Sequence, residues 1–455
     1  MQPKFALMGD TIVAVATAWA PAAIGVVRLS GPQALELVRR YWRGPTPRPR
    51  TAHLGTFFEP NGEPLDQALL TWFPAPHSYT GEEVVELSCH GSLYVLRRVV
   101  ELLIAAGARL ARPGEFTLRA YLNRKLSLDQ AEAVADLIQA QSAAAHRLAM
   151  SQLKGAYFEK VRAFRQKLVE FLALLELELD FSEEDVEFAS RSELKQLLQQ
   201  LAAEIERLLR SYRAGQAVRQ GIPIAIVGRP NAGKSTLLNA LLAEERAIVS
   251  DIPGTTRDTV EERLFLGGYE LRLIDTAGLR ANPADPIEAE GIRRTREKIA
   301  QAFLILYVFD AAAETWEEAQ DYARTLLGTG SLPSILWIAN KIDRLATLPD
   351  WPEAVIPLSA REKQGLERLQ QAMLNQLEQA GLGQEVLLSH ARHYESFVRA
   401  RAALEGALAL LERGGGTELV AEELRTAQHA IGEITGAITP DEILGEIFSR
   451  FCIGK

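Results

Sequence analysis

The stretch Gly228-Arg229-Pro230-Asn231-Ala232-Gly233-Lys234-Ser235 decides the fold. It follows an apolar run, Ile222 to Val227, and precedes a helix-like run, Thr236 to Leu242. Strand, loop and helix in that order are the context that the phosphate loop G-x-x-x-x-G-K-[ST] requires. Glycines let several backbone N–H groups point at one phosphate, where a side chain would block the approach. The positive end of the following helix dipole reinforces anion binding. Lys234 can reach the β- and γ-phosphates, and Ser235 can hold Mg²⁺. The alternative is a plain glycine-rich turn, and both flanks weigh against it.

Working outward, later motifs choose the base. Asn340-Lys341-Ile342-Asp343 follows an apolar strand. The Asp343 carboxylate can accept from guanine N1–H and the exocyclic amine, which adenine does not offer. Ser359-Ala360-Arg361 follows the next strand and fits a second guanine-contacting loop. Asp275-Thr276-Ala277-Gly278 follows Leu271–Ile274. There Asp275 can hold a Mg²⁺-bound water and the Gly278 N–H can sense the γ-phosphate. The expected GTP-contacting set is therefore Asn231 to Thr236 (Asn231, Ala232, Gly233, Lys234, Ser235 and Thr236), Asp275 to Gly278, Asn340, Lys341, Asp343, Ser359, Ala360 and Arg361.

One side chain is missing. Many GTPases carry Gln after Asp-x-x-Gly to orient the attacking water, and here that position is Leu279. Hydrolysis then needs another group. Ser250-Asp251-Ile252-Pro253-Gly254-Thr255-Thr256-Arg257-Asp258 supplies Thr256 as a natural Mg²⁺ contact. Its carbonyls, with the Asn231 side chain, can cage a monovalent cation that neutralises developing charge as an arginine finger does. Glu288 can polarise water or be a surface acid. Arg257 can be a catalytic finger or a loop charge.

The surrounding chain is 455 residues long, which implies two or three domains. Residues 1–124 read as mixed α and β, with a loop at Ala20-Pro21-Ala22-Ala23 between two short strands, and carry 13 Lys/Arg against 10 Asp/Glu, a balance of +3 within a net charge of −9. That part is the likelier place for an anionic partner, though +3 alone does not establish one. Between Pro113 and Pro223 there is no proline, and the Leu/Ala/Glu/Gln/Arg content predicts helices over Leu126–Lys154, Phe158–Leu179 and Ser192–Val218. The segment 180–185 is the expected turn. From Gly221 to Leu377 strands and helices alternate, which predicts a mostly parallel sheet with Val260–Leu266 as an added edge strand. Residues 378–455 read as helical, with a joint at Gly414-Gly415-Gly416. This tail is expected to pack with helices 126–218, which makes the nucleotide module an insertion into a helical bundle. Two distant cysteines, Cys89 and Cys452, fit a reducing cytosol. No secretory leader and no apolar run of membrane-spanning length is visible, so a cytoplasmic location without membrane contact is expected.

Taken together the sequence resembles the tRNA-modification GTPase family (MnmE/TrmE) over essentially its whole length. The resemblance rests on Asp10-Thr11-Ile12-Val13-Ala14, Gly25 to Gly31, Ser78-Tyr79-Thr80-Gly81-Glu82-Glu83, Ala111 to Phe116, Asn123-Arg124-Lys125-Leu126, Gly254 to Asp258 and Phe451-Cys452-Ile453-Gly454-Lys455. It implies a multidomain α/β protein: an N-terminal α+β folate-binding and dimerisation domain (1–124), a helical domain in two parts (125–220 and 378–455), and a Ras-like P-loop GTPase domain inserted between them (221–377). It implies a homodimer and an FAD-containing partner, MnmG (GidA). Together they would add an aminomethyl or carboxymethylaminomethyl group to C5 of the wobble uridine of certain tRNAs. The one-carbon unit would come from a tetrahydrofolate derivative, the 5-formyl or 5,10-methylene form. Hydrolysis would depend on K⁺ and on pairing of the GTPase domains.

By position, the resemblance matches Arg28, Glu86, Lys125 and Lys455 to folate contacts. Asn231, Ser250, Ile252 and Thr255 match the K⁺ site, and Ser235 and Thr256 the Mg²⁺ ligands. Glu288 matches the acid that orients water. Cys452 matches a terminal cysteine that can be a thiolate catalyst, a neighbour of the folate site or a plain buried thiol. Two departures stand out: Ala20-Pro21-Ala22-Ala23-Ile24 replaces a Gly/Arg-rich run, and Cys89 stands where a small residue is common. Two other classes compete. A ribosome-assembly GTPase that binds RNA as a switch shares the Asn-Lys-x-Asp module but needs an RNA-binding domain, and none is evident. A folate enzyme without an RNA partner would leave wobble uridines untouched.

Overall fold

The structure is a computed structural model that describes residues 9–180, 190–245, 262–275, 299, 301–327, 333–383, 387–436, 441–449 and 451–454. Two compact units divide the chain. The first takes Met1–Ile138, Gln152–Leu198 and Ala402–Lys455, and the second takes Gln139–Ser151 and Gln199–Arg401.

The first unit begins with seven strands: β1 Ile12–Val15, β2 Ala22–Ser30, β3 Trp42–Arg43, β4 Ala52–Phe58, β5 Pro64–Phe73, β6 Val84–Gly91 and β7 Arg109–Leu110. They form one sheet in the order β3-β4-β5-β6-β2-β1-β7, antiparallel except for β1 beside β7. In β2, Val27 and Leu29 are buried against Leu87, Leu96 and Val99. Alternation then sends Arg28 to the opposite face, where it lies directly across from Glu86 of β6. The helices Ala156–Asp180 and Thr417–Thr435 of this unit pack together. A smaller apolar cluster joins Leu118, Leu128 and Ala131 to Leu444, Phe448 and Phe451. The C-terminal residues thereby reach the N-terminal part: Gly114 N–H donates to the Cys452 carbonyl at 3.4 Å.

The second unit holds a six-stranded sheet: β8 Ile222–Val227, β9 Glu262–Leu266, β10 Tyr269–Asp275, β11 Leu304–Asp310, β12 Ser334–Asn340 and β13 Val355–Leu358. Its order is β13-β12-β11-β8-β10-β9. Every pairing is parallel except β9, which runs antiparallel to β10 at the edge. β8, β11 and β12 are apolar runs buried on both faces, as helix-covered parallel strands must be. Strand order reverses at β8, whose neighbours are β10 and β11. The loop leaving its carboxyl end therefore opens at the switch point where ligands bind in such sheets.

Two expectations need correction. The single helix expected over Leu126–Lys154 is two, Leu128–Gln139 and Ala143–Lys154. Buried Ser142 caps the second, its Oγ accepting from Ala145 N–H at 3.1 Å. The loop expected at residues 20–23 is partly strand, because β2 starts at Ala22. The turn expected at 180–185 falls on residues 181–185, outside the described residues.

Candidate nucleotide and folate sites

The loop Gly228–Gly233 joins β8 to the helix Lys234–Glu245. Its backbone is built for glycine at two points. Gly228 has φ 147° and a Cβ there would lie 2.0 Å from the Val308 carbonyl oxygen. Gly233 has φ 97°, and its Cβ would lie 2.1 Å from Asn340 Nδ2. Asn231 turns left-handed at φ 63°, a conformation that Asn tolerates better than most side chains. Lys234 Nζ donates to the carbonyls of Gly228 (2.9 Å) and Arg229 (2.8 Å), which holds the ammonium over the loop. Ser235 and Thr236 are exposed in the first turn of the helix.

The Asn-Lys-x-Asp motif reaches this loop physically. Buried Asn340 donates through Nδ2 to the Ala232 carbonyl at 2.8 Å and accepts at Oδ1 from Ala360 N–H at 3.0 Å. Lys341 Nζ donates to the Asn231 carbonyl and to Asp310 Oδ2, both at 2.6 Å. Ser359 is buried and donates to Asp343 Oδ1 at 2.6 Å. That hydroxyl is the main cause holding the Asp343 carboxyl below the usual carboxylate range, so the group is an anion at neutral pH. Asn231, Ala232, Gly233, Lys234, Asn340, Lys341, Asp343, Ser359 and Ala360 thus converge, while the exposed Arg361 pairs with Glu362 at 3.6 Å.

Sequence reasoning missed two supports. Asp310 ends β11 and anchors Lys341; a lone acid closing an apolar strand was its only signal. Glu314 lies 2.9 Å from Arg229 Nε, and Arg229 also stacks 4.9 Å from the Tyr322 ring centroid. The side chain of Asp275 and all of Thr276, Ala277, Gly278, Ser250, Ile252, Thr255, Thr256, Arg257 and Glu288 lie outside the described residues.

In the first unit Arg28 Nε donates to Glu86 Oε1 at 2.8 Å, and Nη1 reaches the Gly454 carbonyl at 3.5 Å. The guanidinium also lies 5.5 Å from the Tyr79 ring and 5.7 Å from that of Phe116. Gly454 must be glycine, since its φ is 103° and a Cβ would meet Val15 O at 2.2 Å. Lys125 sits beside Gly81: a Cβ added there would lie 3.2 Å from Lys125 Cε. Asn123 Nδ2 ties the same segment to the Thr80 carbonyl at 2.7 Å. Cys452 is exposed. Lys455 lies outside the described residues.

Sequence reasoning also missed a buttress behind these groups. Arg119 donates to Asp10 Oδ1 (2.5 Å), Glu82 Oε2 (3.0 Å) and Glu115 Oε1 (3.1 Å). Arg109 joins Asp10 to Glu115. Burial opposes ionisation of Asp10 and Glu115, but the two guanidiniums outweigh it and hold both carboxyls below their ordinary range. Among the described residues no group of His, Cys, Asp and Glu has the arrangement of a metal site.

A phosphate loop at the switch point of this sheet, gripped by an Asn-Lys-x-Asp segment, defines a P-loop GTPase of the Ras-like class. Comparison with known proteins narrows this. A family model described as "GTP-binding protein TrmE N-terminus" matches residues 11–125, and "MnmE helical domain" matches residues 128–452. A tRNA modification GTPase MnmE from Porphyromonas gingivalis is 45% identical over 467 residues, covering 98% of each chain. Its counterpart from Cytophaga hutchinsonii is 44% identical over 458 residues, again 98% of each. That of Aquifex aeolicus is 42% identical, covering 98% of this chain and 100% of its own. The chain belongs to the tRNA modification GTPase family MnmE, whose members hydrolyse GTP.

Proposed function

We propose that this protein binds and hydrolyses GTP in a K⁺-dependent manner and, with an FAD-containing partner of the MnmG (GidA) type, adds an aminomethyl or carboxymethylaminomethyl group to C5 of the wobble uridine of certain tRNAs. The observation that carries the reading is the Asn340 carboxamide. It joins the phosphate loop to the Ser359–Ala360 turn, so one rigid frame presents both phosphate donors and the Asp343 carboxylate. In this reading the helix starting at Lys234 and the Lys234 ammonium hold the phosphates. Asp343 accepts from the guanine N–H groups.

Hydroxyl and carbonyl oxygens are the donors Mg²⁺ and K⁺ prefer. The exposed Ser235 hydroxyl fits Mg²⁺, with Thr256. Asn231, whose carbonyl is already committed to Lys341, offers its exposed side-chain amide to K⁺, with Ser250, Ile252 and Thr255. A cation held by these residues would supply positive charge beside the phosphate oxygens. Glu288 positions water in place of the missing Gln, with Arg257 as a second charge. Glu288→Ala should keep GTP affinity and lose turnover; retained turnover would show that another group positions the water.

The N-terminal reading is a tetrahydrofolate derivative, 5-formyl or 5,10-methylene. A pterin edge carries N–H donors that suit the Glu86 carboxylate, and Tyr79 and Phe116 supply aromatic faces beside Arg28. Lys125 and Lys455 suit the glutamate carboxylates of such a ligand, with Cys452 a neighbour. We take the GTPase domain, 221–377, as inserted between helical parts 125–220 and 378–455, after a folate domain, 1–124. The homodimer forms through those folate domains, in the cytoplasm. GTP hydrolysis measured in K⁺ and in Na⁺ tests the cation: a rate several-fold higher in K⁺ is expected, and equal rates would refute the cage.

A further inference from the structure

The first unit contains a cationic cavity of which the nucleotide and folate readings use only Lys125. Tyr121, Arg124, Lys125, Arg162, Arg165 and Gln166 are among the residues around a volume of about 500 Å³. Four of these are cations, and no carboxylate lines it among the described residues. The backbone explains how they gather. The helix Glu115–Leu122 ends in a tight turn in which Arg124 N–H bonds to the Tyr121 carbonyl (2.9 Å) and Lys125 N–H to that of Ala120 (2.8 Å). Arg124 is left-handed there, with φ 58°. On the helix Ala156–Asp180, Arg162 and Arg165 are three residues apart and share a face.

The pairing of these cations is incomplete. Arg162 donates to the buried Asp129 at 2.8 Å. Among the described residues no carboxylate pairs with Arg124, Lys125 or Arg165. Arg165 Nε is shielded from solvent and meets no acceptor among them. A sequestered guanidinium N–H calls for an acceptor, and the described residues leave that demand unmet. The chain carries a net charge of −9, so this cluster is a local exception to its field.

The occupant is anionic, and guanidinium forks match the paired oxygens of a phosphodiester. A sugar–phosphate strand also brings hydroxyls for the Gln166 amide. Its charges repeat along its length, which suits cations spread over a turn and a helix. We propose that this cavity grips the sugar–phosphate backbone of the RNA substrate, an inference that rests on the reading of the chain as a tRNA-modifying protein. Contacts of this kind position an RNA without reading its sequence.

The test is anisotropy titration of labelled, unmodified tRNA bearing a wobble uridine into the full-length protein over a range of KCl concentrations. Arg165→Gln and Arg124→Gln should each weaken binding about tenfold and make the slope of log affinity against log salt shallower by about one. Arg165→Lys keeps the charge without the fork and should fall between. Gln166→Glu removes no packed cation, adds an anion at the rim and should weaken binding too. Thermal melts followed by circular dichroism check that each variant folds. Unchanged affinity and salt slope in folded variants overturn the proposal. So does a loss of affinity for polyglutamylated 5-formyltetrahydrofolate with tRNA binding intact, which would assign the cavity to the folate tail. A wild-type protein that binds no tRNA, from a strain whose wobble nucleosides do depend on it, overturns the grip but spares the functional reading. Nucleosides that do not depend on it overturn that reading itself.

Discussion

At Asn340 one buried carboxamide joins its own strand end to the Ala232 carbonyl and the Ala360 N–H. Removing it strands both backbone groups, each worth about 1–3 kcal/mol when buried and unpaired. Asn340→Ala should therefore weaken GTP binding at least about tenfold, measurable by calorimetric titration. Asp343→Asn tests base choice. One acceptor and one donor replace two acceptors, so GTP affinity should fall by roughly 10–100-fold, from the loss of a charged hydrogen bond. Xanthosine triphosphate, whose 2-oxo group accepts where guanine donates, should gain.

The two thiols differ in the same local way. Burial, helped by Asp66, pushes the Cys89 thiol up to about 12, while Cys452 is exposed. Alkylation of the native protein at pH 8 should modify Cys452 and spare Cys89 until the chain unfolds, as peptide mass spectrometry will show. The folded Cys89 keeps a proton that the unfolded chain releases above its ordinary 9.0. Its contribution to stability is complete below pH 9 and declines as pH rises from 9 toward 12. At this scale Asn340, Asp343 and Ser359 were legible because spacing after apolar strands marks them. Asp310 and Glu314 were not, because a single acid carries no pattern until the fold sets it against Lys341 or Arg229.

Among elements, the parallel strands were the clearest. β8, β11 and β12 are unbroken apolar runs, since helices cover both faces of their sheet. The division of Leu126–Lys154 was hidden. Gln139-Ala140-Gln141-Ser142 holds no Gly or Pro, and every residue there is compatible with helix. The break depends on tertiary contacts, such as Ala144 N–H donating to the Gly268 carbonyl at 2.9 Å, and on the Ser142 cap. Ser142→Ala should cost about 1 kcal/mol by chemical denaturation, whereas an uninterrupted helix would make the change neutral. Strand β4 was also missed. Its apolar residues, Ala52, Leu54, Phe57 and Phe58, do not alternate cleanly, and Gly55 is there because Trp42 packs where a Cβ would sit, 2.4 Å away.

For the molecule as a whole, family membership follows from relatives matched end to end at 42–45% identity. No helix of the described residues is long and apolar enough to cross a membrane. The surplus of +3 in residues 1–124 hinted at an anionic partner there. It could not locate the cationic cavity, because Lys125, Arg162 and Arg165 lie outside that segment and the two arginines meet Arg124 only through the fold. The residues proposed to hold folate and nucleotide likewise come from distant parts of the sequence. Arg28 meets Gly454 across nearly the full chain, a contact that no local motif encodes.

The central claim is that the GTPase module and the folate-type domain serve one reaction on tRNA. Mass spectrometry of wobble nucleosides from a strain lacking this protein tests it most directly. The account predicts loss of the C5-aminomethyl or carboxymethylaminomethyl uridines, with recovery on re-expression of the protein. Wobble uridines that remain fully modified in that strain would contradict it.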